Sequence, residues 1–443
     1  MPEIVNKSDH RVFGFSVAAL TVLLYIVLAY HLKRQETGWL IAILATLFAC
    51  YGYLISYSKF SIRELLTLAV VLRLIFLFAD PELSDDYWRF IWDGSLLSHG
   101  LNPYANTPDE VINRYGFSDL KSIYPRLNNC CTHSTYTPMV QWIFFGSVWL
   151  GKWWGGPVFW MRLVVFLAEF VSAFLMIKVL KESGLKVRSA FWYLLNPLII
   201  LEFTGNLHHE VFVVFFLCLV FFFMMSDKSN AAAMALGGAV AAKLLPMIFL
   251  PGFLKRKGWN SALLFSVLVL SIPLLTFLPW LTIDSVAGFF SGLRLYFDRL
   301  EFNPSLWFVI RALGYGINGF NIIQWAVPVM AVCSSGIILW YSMIRPGAPG
   351  HQTVVMARQF EIVLLVYLLF SAIVHPWYVA PMVLFAVFSG SRFGVLWSGL
   401  VMLTYAGYSK TGYQEYPMIL LVEYLSVGLF FVMERKKLWA SRG

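Results

Sequence analysis

The sequence predicts an all-α integral membrane protein that crosses the bilayer many times, and two observations carry this prediction. Of the 443 residues, 59% are hydrophobic and only 13% are charged, whereas about a quarter of the residues in a soluble domain are charged. Apolar stretches that approach the roughly 20 residues of a membrane-spanning helix lie near residues 12–30, 39–57, 62–79, 157–180, 189–203, 211–225, 259–280, 320–342, 353–373, 393–408 and 417–433. A membrane β-barrel would show shorter segments of about 10 alternating residues. We therefore expect a single membrane domain, residues 1–443, with roughly 12–14 transmembrane helices.

The first apolar stretch and the cysteines bear on processing and redox state. Residues 12–30 have no small-residue cleavage site after them, and further apolar stretches follow, so we expect a first helix rather than a removed signal. The five cysteines do not form a disulfide framework. The adjacent Cys130 and Cys131 would bridge only through a strained vicinal bond.

The basic residues predict the orientation of the chain in the membrane. The net charge is +9, but the basic side chains collect at the ends of apolar stretches, which is the positive-inside pattern rather than a nucleic-acid surface. They lie at Lys59 and Arg63 and within residues 181–188, 255–257 and 435–437. Placing them in the cytosol puts a long polar loop, residues 80–137, and a second loop, residues 281–304, on the outer side. The long loop carries eight acidic side chains against four basic ones.

Three segments are predicted to depart from regular spans. Residues 85–99 show an amphipathic pattern that stops near Gly100, which is typical of a helix lying flat on the membrane surface. Residues 142–154 are short and rich in Trp, which is typical of an interfacial or partly inserted piece. Residues 231–254 have the wrong length for two full spans, so we expect a broken or re-entrant hairpin around residues 243–246. Irregular backbone at membrane depth is tolerated where it lines a protein cavity.

Two adjacent carboxylates, Asp85 and Asp86, open the long loop immediately after an apolar stretch. At the membrane face, a carboxylate is suited to accept a proton from an incoming hydroxyl as general base. The alternative is a helix cap, with Ser84 or Asp85 at the N-cap and Asp86 in the first turn. Both roles are compatible, because the positive end of a helix also keeps a neighbouring carboxylate ionised.

The loop sequence then carries a family resemblance. The strings LSDDYWRFIWDG at residues 83–94 and HGLNPY at residues 99–104 resemble the first outer loop of bacterial membrane glycosyltransferases of the GT-C class, which use polyprenyl-phosphate sugars. The pattern of that class runs roughly Ser-x-Asp-x-Tyr-Arg-Tyr-x-Trp-Asp-Gly and then Gly-x-Asn-Pro-Tyr. A looser pattern occurs in the first mannosyltransferase of GPI-anchor synthesis. The spacing points to Asp86 as the patterned aspartate, with Asp85 at the variable place, while Arg89 stands one place away from the patterned arginine.

The resemblance extends along most of the chain. Further matches are STYTP at residues 134–138, NP at 196–197 with GNLH at 205–208, KLLP at 243–246, FNPS at 302–305 and HPWY at 375–378. It implies a GT-C-like bundle and a single-displacement, inverting sugar transfer at the outer membrane face. An acidic residue of the first outer loop, Asp86 or Asp85, would be the base.

Such a reaction also needs positive charge. A lipid-phosphate leaving group develops negative charge, so cations or N–H donors must lie near it. The candidates are Lys243, Arg294 and Arg299, together with Arg89 of the loop motif. An ionisable group at membrane depth is a functional hypothesis because it is costly there. The structural alternatives are a snorkelling Lys243 and ion pairs of Arg294 and Arg299 with neighbouring carboxylates.

The string NLHHE at residues 206–210 suggests zinc by composition. Adjacent side chains on a helix diverge, however, and the His-Glu-x-x-His signature is absent, so a metal site is disfavoured. By resemblance, Asn206 and His208 are assigned to a polar wall of the substrate site. A buried structural histidine is the alternative.

Four further residues are assigned to the substrate site on the same basis. Asn303 and His375 belong to the matched strings, and Pro376 is suited to the first turn of a helix that begins at the outer face. Trp377 and Tyr378 are suited to stack on a sugar ring. The alternative is that they anchor the helix at the membrane interface, as Trp and Tyr commonly do.

The resulting hypothesis is a membrane glycosyltransferase that moves a sugar from a polyprenyl-phosphate donor to a glycan or lipid acceptor, for cell-envelope synthesis. We expect it in the inner (plasma) membrane, with an extracytoplasmic site, membrane lipid as surroundings and no nucleic-acid partner. No cofactor is expected, and a divalent metal is left open. The alternative is a transporter or flippase of lipid-linked sugars, a class that commonly shows paired repeats. The sequence has no repeat, and a polysaccharide polymerase or ligase is a third hypothesis.

Overall fold

A computed structural model describes residues 7–255, 257–344, 351–410 and 412–440 of the chain. Over these ranges the chain is mostly helical, and one short antiparallel pair joins β1 (Tyr408–Ser409) to β2 (Gly412–Tyr413). Arg256, one of the basic residues used to predict the orientation, lies outside the described residues.

The α-helices follow one another along the whole described chain. In chain order they are α1 Lys7–Tyr30, α2 Thr37–Ser56, α3 Ile62–Leu74, α4 Asp86–Ser98, α5 Pro108–Arg114, α6 Ser118–Ile123, α7 Pro138–Gly151, α8 Gly156–Glu182, α9 Phe191–Leu194, α10 Pro197–Ile199, α11 Glu210–Met225, α12 Ser229–Ala242, α13 Leu250–Leu254, α14 Trp259–Phe277, α15 Ile283–Asp298, α16 Leu306–Asn318, α17 Ile323–Ile344, α18 Gln352–Phe370, α19 Ala380–Ser389, α20 Phe393–Leu400 and α21 Pro417–Ala440. Shorter 3₁₀ turns and one π-helix, Ile200–Gly205, connect some of them.

Seven of the described helices are long and apolar enough to cross a membrane, or up to eight if the bent pair Pro197–Gly205 and Glu210–Met225 forms one span. Four shorter apolar helices of 10–17 residues accompany them. These helices confirm an all-α, polytopic membrane protein, whereas the expected number of 12–14 spans stays a prediction. One predicted stretch, residues 62–79, gives a helix of only 13 residues that ends at Leu74.

The chain forms two compact units. The first unit contains Met1–Leu83, Ala173–His208 and Pro376–Gly443, and the second contains Ser84–Ser172 and His209–His375. The predicted single membrane domain is left as a prediction.

In the first unit, Arg188 closes the end of α2. Its guanidinium donates to the carbonyl oxygens of Leu54, Ile55, Ser58 and Phe60 at 2.8–3.1 Å. The last carbonyls of a helix have no partner inside the helix, so this side chain satisfies groups that would otherwise need water. Arg188 therefore has a structural role in addition to the charge that suggested the orientation.

In the second unit, α4 packs closely on α7. A Cβ at Gly94 of α4 would lie 2.6 Å from the carbonyl oxygen of Phe144 in α7, so only glycine allows the two backbones to approach. Phe90 and Phe144 stack with their ring centroids 4.8 Å apart. All side chains from Arg89 to Leu96 are buried.

The prediction that residues 85–99 lie flat on the membrane surface stays a prediction, because burial against α7 does not determine where the helix lies in the membrane. The helix has nearly the predicted bounds, and Gly100 follows it with a φ of +71°. Its polar side chains, however, are enclosed by protein rather than by water. The sequence pattern does not reveal this, because the partner helix supplies the burial.

The predicted break around residues 243–246 is confirmed. Helix α12 ends at Ala242, and Lys243 follows in an extended conformation with φ −158° and ψ 137°. A 3₁₀ turn, Leu245–Phe249, and the short α13 complete the segment. A second break was not predicted: the π-helix is followed by Leu207, whose φ is +67°.

The predicted loop at residues 281–304 is largely one helix, α15, which packs on the long polar segment at Tyr104. A Cβ at Gly288 would lie 1.8 Å from the carbonyl oxygen of Tyr104, so this contact requires glycine. The Asn102 amide donates to the Ser285 hydroxyl at 2.6 Å. Tyr104 is fully buried in a cluster with Trp280 and Phe289.

Candidate active site

The two carboxylates proposed from the sequence open α4. Asp86 is the first residue of the helix and is half-buried, while Asp85 is at the N-cap and is exposed. The Asp85 side chain makes no capping hydrogen bond. The Ser84 hydroxyl accepts the backbone N–H of Asp86 at 3.4 Å, which is a long contact. Capping thus gives Asp85 no structural role, although both acids lie at the positive end of the helix.

One segment, residues 124–132, lies along the first turns of α4, and we call it the covering segment. Its Asn128 amide donates to Oδ1 of Asp86 at 3.0 Å. Its Arg126 guanidinium lies 4.3 Å from the centre of the Trp88 ring. The amide of Asn128 therefore orients the Asp86 carboxylate, and Arg126 adds a cation beside the same helical turn.

The covering segment is anchored at Asp109. The Tyr124 hydroxyl donates to one oxygen of Asp109, and the Cys131 thiol contacts the other at 3.0 Å. These two bonds, the tyrosine first, hold the pKa of the Asp109 carboxyl below its ordinary value. The same carboxylate raises the pKa of Tyr124 to about 12. Cys130 and Cys131 are both free thiols.

Arg89 is buried in the second unit, where its guanidinium donates hydrogen bonds to protein groups. Its Nε donates to Asp93 at 2.9 Å, and its Nη1 donates to the carbonyl oxygens of Asn129 and Thr132 at 3.4 and 3.2 Å. Asp93 is fully buried and also accepts the amide of Gln141 at 2.9 Å. Arg89 therefore ties α4 to the covering segment, and its predicted role at the donor phosphate stays a prediction.

Lys243 forms an ion pair with Glu210, the first residue of α11. The lysine side chain is 29% exposed and the glutamate side chain 7% exposed. The snorkelling alternative is not what the structure shows, because the ammonium group contacts a protein carboxylate. Phosphate binding by Lys243 stays a prediction, and it would require this pair to open or to be shared.

The two arginines at residues 294 and 299 differ in their surroundings. Arg294 donates to Asp298 one helical turn later at 2.7 Å, and its side chain is 78% exposed. Glu301 binds Arg311 rather than Arg299. Arg299 follows the end of α15, is exposed, and makes no ion pair among the residues that the structure describes. Phosphate binding by either arginine stays a prediction.

Asn206 and His208 converge on one buried carboxylate of the first unit, Glu202. The Asn206 amide donates to Glu202 at 3.1 Å, and Nδ1 of His208 lies 2.9 Å from it. The Tyr405 hydroxyl also donates to Glu202, at 2.9 Å. Asn206 and His208 therefore belong to one hydrogen-bonded group, and their role as a wall of the substrate site stays a prediction. The central residue of the group was missed.

Residues of the matched strings 302–305 and 375–378 also make defined backbone and ring contacts. In the second unit, the Phe302 backbone pairs with the chain at Ala372 and Val374, and the rings of Phe302 and His375 lie 4.3 Å apart. Asn303 is buried there, with a φ of +47°. This pairing places Asn303 and His375 in neighbouring segments, and their role in the substrate site stays a prediction.

In the first unit, Pro376 opens a 3₁₀ turn that leads into α19, as predicted. Trp377 stacks on His208, with ring centroids 3.5 Å apart and an angle of 18° between the planes. Tyr378 is 7% exposed. Trp377 is thus part of the His208 group, whereas the buried Tyr378 presents little of its ring to a sugar.

The histidines of residues 206–210 do not form a metal centre. His209 packs in the second unit with its ring 4.4 Å from that of Phe90, and Glu210 binds Lys243. Within the described ranges, no group of three or more His, Cys, Asp or Glu side chains is arranged to hold a metal ion. The expectation that no cofactor is required stays a prediction.

Glu202 and Asn128 were not predicted from the sequence, and they differ in how clearly the sequence could have indicated them. Glu202 is an acid inside an otherwise apolar stretch, and such residues are costly in a membrane and therefore informative. Asn128 offers no such signal, because an asparagine in a polar loop is ordinary. Only the folded covering segment shows that it contacts Asp86.

Long apolar helices and two adjacent carboxylates that open the buried helix α4 are features of a membrane-embedded enzyme. The family described as alpha-(1->6)-mannopyranosyltransferase, N-terminal domain, matches residues 10–255, which is more than half of the chain. The chain belongs to this family and is a mannosyltransferase-like membrane glycosyltransferase. No curated protein matches the sequence. The matched region contains Asp86, Asn128, Glu202, His208 and Lys243.

Proposed function

We propose that the protein transfers a mannosyl residue from a polyprenyl-phosphate donor to a glycan or lipid acceptor on the extracytoplasmic side of the plasma membrane. The transfer inverts the configuration at the sugar C1. Since the family name specifies an alpha-(1->6) product, an inverting enzyme of this kind requires a donor whose phosphate is β-linked. The observation that carries the proposal is Asp86, which is held by Asn128 at the start of a buried helix inside the matched region.

The chemistry assigns a role to Asp86. The acceptor hydroxyl attacks C1 of the donor, its proton passes to the Asp86 carboxylate, and the bond between C1 and the phosphate oxygen breaks. The polyprenyl phosphate leaves with the bonding electron pair. A positioned base of this kind contributes about 10²–10⁴-fold to a rate, and cations that neutralise the departing phosphate supply a further electrostatic contribution.

The phosphate cation is assigned to Arg299. Arg89, Lys243 and Arg294 each bind a protein carboxylate. An arginine that presents its fork to solvent binds phosphate without first losing such a partner. This assignment rests on exposure and on the absence of an ion pair among the described residues.

A reconstituted transfer assay tests the proposal. Purified protein in liposomes is given a β-linked polyprenyl-phosphate mannose and a mannoside acceptor, and the product linkage is determined by NMR. We expect an α-linked product only when the donor lies in the leaflet that corresponds to the outer face. Transfer from a nucleotide sugar instead would contradict the proposed donor. A β-linked product would contradict the proposed inversion of configuration.

The transporter alternative gains no support from the family match. Transport predicts that a fluorescent donor crosses the bilayer of the same liposomes with its glycosidic bond intact. We expect no such movement above that of protein-free liposomes. Movement without bond cleavage would replace the enzyme proposal.

Asn128→Ala is expected to lower kcat about tenfold and to leave KM for the donor unchanged. The amide donates to Asp86 in a charge-assisted hydrogen bond, and losing such a bond in a partly exposed site costs about one decade in rate. Asn321→Ala is the matched control, because the Asn321 amide donates to Glu301 in the same unit at 2.6 Å. An equal loss in both variants, or none in Asn128→Ala, would show that Asn128 does not orient Asp86.

A further inference from the structure

Arg126 is an exposed arginine of the covering segment, in the second unit. It belongs to none of the sequence strings that carry the family resemblance, and the proposed transfer reaction gives it no role. Among the residues that the structure describes, its side chain makes no ion pair and no hydrogen bond. Its surroundings indicate what it binds.

The region around Arg126 is acidic, yet its carboxylates have other partners. Residues 80–137 carry eight acidic side chains against four basic ones. Asp93 is bound by Arg89, and Asp109 accepts the Tyr124 hydroxyl. Within the described ranges, the guanidinium of Arg126 is therefore left available for an anion that comes from outside the protein.

The Trp88 ring holds the side chain of Arg126 in place. The guanidinium carbon lies 4.3 Å from the centre of this half-buried ring, which itself lies beside the Tyr87 ring at a centroid distance of 4.6 Å. A guanidinium over an aromatic face keeps its N–H donors at its edge, where they match two oxygens of a phosphate. Trp88 thus orients Arg126 without using the donors that a phosphate needs.

Two contacts place Arg126 beside the proposed base. Trp88 lies two residues after Asp86 in α4, and Arg126 lies two residues before Asn128, whose amide donates to Asp86 at 3.0 Å. The covering segment therefore brings the guanidinium and the Asp86 carboxylate to the same end of α4. A cation at this place is close to the atoms that the proposed reaction rearranges.

The cation assigned in the proposed function belongs to an element that packs next to the covering segment. A Cβ at Gly292 of α15 would lie 3.1 Å from the carbonyl oxygens of His133 and Ser134, which directly follow the covering segment. Helix α15 ends one residue before Arg299. Arg126 and Arg299 are thus carried by neighbouring elements of the same unit.

The charge on the donor phosphate increases during the proposed transfer. In the donor, the phosphate is a diester with a single negative charge. When the bond between C1 and its oxygen breaks, the electron pair leaves with the phosphate, which becomes a monoester with about 1.5–2 negative charges. A cation in contact with it therefore binds the departing group more strongly than the donor, and this difference lowers the barrier.

We propose that Arg126, held over the Trp88 ring, binds the phosphate of the polyprenyl-phosphate donor and stabilises the negative charge that develops on it. It is a second cation beside the one assigned to Arg299. It exchanges no proton and forms no covalent bond. The proposal rests on the proposed function, because it takes the donor and the reaction from there.

The first experiment measures transfer by Arg126→Gln and its inhibition by the free product, polyprenyl phosphate. Glutamine stays polar but removes the charge, and losing a charge-assisted contact of this kind costs about 10–100-fold in kcat/KM. We expect this loss together with inhibition by polyprenyl phosphate that is weaker by about tenfold. Inhibition by the uncharged polyprenol is expected to stay the same. An unchanged inhibition constant for polyprenyl phosphate would overturn the proposal.

Arg114→Gln is the matched control for this experiment. Arg114 is also exposed and belongs to the same unit, and its guanidinium carbon lies 5.5 Å from the centre of the Tyr115 ring. We expect no change in the inhibition by polyprenyl phosphate. An equal weakening in both variants would show a general effect of the charge of the polar segment, and binding of the phosphate by Arg126 would be rejected.

A double variant tests whether Trp88 acts by holding Arg126. Trp88→Leu removes the ring, and we expect kcat/KM to fall about 2–5-fold, as for the loss of an exposed cation–π contact. In the Arg126→Gln background the same substitution is expected to cause no further loss. Losses that multiply would contradict the arrangement in which the ring orients the guanidinium.

Two further variants separate this proposal from the proposed function. Normal turnover by Asp86→Asn would reject the proposed base, whereas the inhibition by polyprenyl phosphate would still decide the role of Arg126. If Arg299→Gln weakened that inhibition and Arg126→Gln did not, the phosphate would bind Arg299 without Arg126. The transfer reaction would then stand, and the second cation would be rejected.

A measurement on the unmodified protein covers the case in which Arg126→Gln does not fold. Phenylglyoxal reacts with exposed guanidinium groups, and mass spectrometry of the peptides reports the rate at each arginine. We expect polyprenyl phosphate to slow the modification of Arg126 but not that of Arg114, and polyprenol to slow neither. Modification of Arg126 at the same rate with and without polyprenyl phosphate would overturn the proposal even if transfer is normal.

Discussion

Asp86→Asn is expected to reduce the rate of mannosyl transfer by about 10²–10⁴-fold while donor binding is retained. Asparagine preserves the shape of the side chain and its place in the first turn of α4, but it does not take up the proton of the acceptor hydroxyl. Because the body of α4 is buried against α7, the substitution at its exposed end leaves the fold intact. Initial rates in liposomes and donor affinity by titration measure the two quantities separately.

Asp85→Asn is the control for this prediction. The two acids are adjacent and share the end of the helix, but only Asp86 is half-buried and bound by Asn128. We expect Asp85→Asn to change the rate less than about tenfold, through the loss of nearby negative charge. If Asp85→Asn were the inactive variant instead, the base would be Asp85. If both variants turned over normally, the mechanism would be wrong.

Lys243→Ala is expected to destabilise the protein by about 3 kcal/mol. Breaking a buried ion pair from one side costs about 3–5 kcal/mol, and the lower end applies because the lysine side chain is 29% exposed. The cost arises from Glu210, which is left as a buried carboxylate. Thermal unfolding of the detergent-solubilised protein measures it, with Arg294→Ala as control, since that side chain is 78% exposed and such pairs contribute about 0–1 kcal/mol.

Exchanging the charges distinguishes the structural role from phosphate binding. The double variant Lys243→Glu with Glu210→Lys is expected to recover much of the stability lost in Lys243→Ala, because the pair is restored with reversed polarity. If Lys243 instead binds the donor phosphate, Lys243→Ala raises KM for the donor without lowering the melting temperature. In that case the exchanged pair would remain inactive.

The elements predicted well from the sequence are those whose position follows from the length and composition of an apolar stretch. Helices α1, α2 and α8 follow long apolar stretches, and the break at Lys243 follows from a length that fits no pair of spans. The burial of α4 was not predicted, because it depends on α7, more than 40 residues further along. A pattern of polar and apolar residues describes one helix and not its partner.

The residues of the candidate site also fall into two groups, those that the local sequence predicts and those that it does not. The acids at Asp85 and Asp86 were found from their place after an apolar stretch and from the motif. The partners of Lys243 and Asp86 were not found, because Glu210 and Asn128 lie 33 and 42 positions away. Such pairs are set by the path of the chain in space, which local sequence patterns do not encode.

The close approach of α4 and α7 at Gly94 has a consequence for redesign of the enzyme. With 2.6 Å between a Cβ at that position and the Phe144 carbonyl oxygen, α4 rests on the backbone of its neighbour and has no room to slide or rotate. The backbone that carries Asp86 is therefore fixed at this contact, and a side chain larger than hydrogen at position 94 would displace it. A library intended to change selectivity should keep position 94 as glycine.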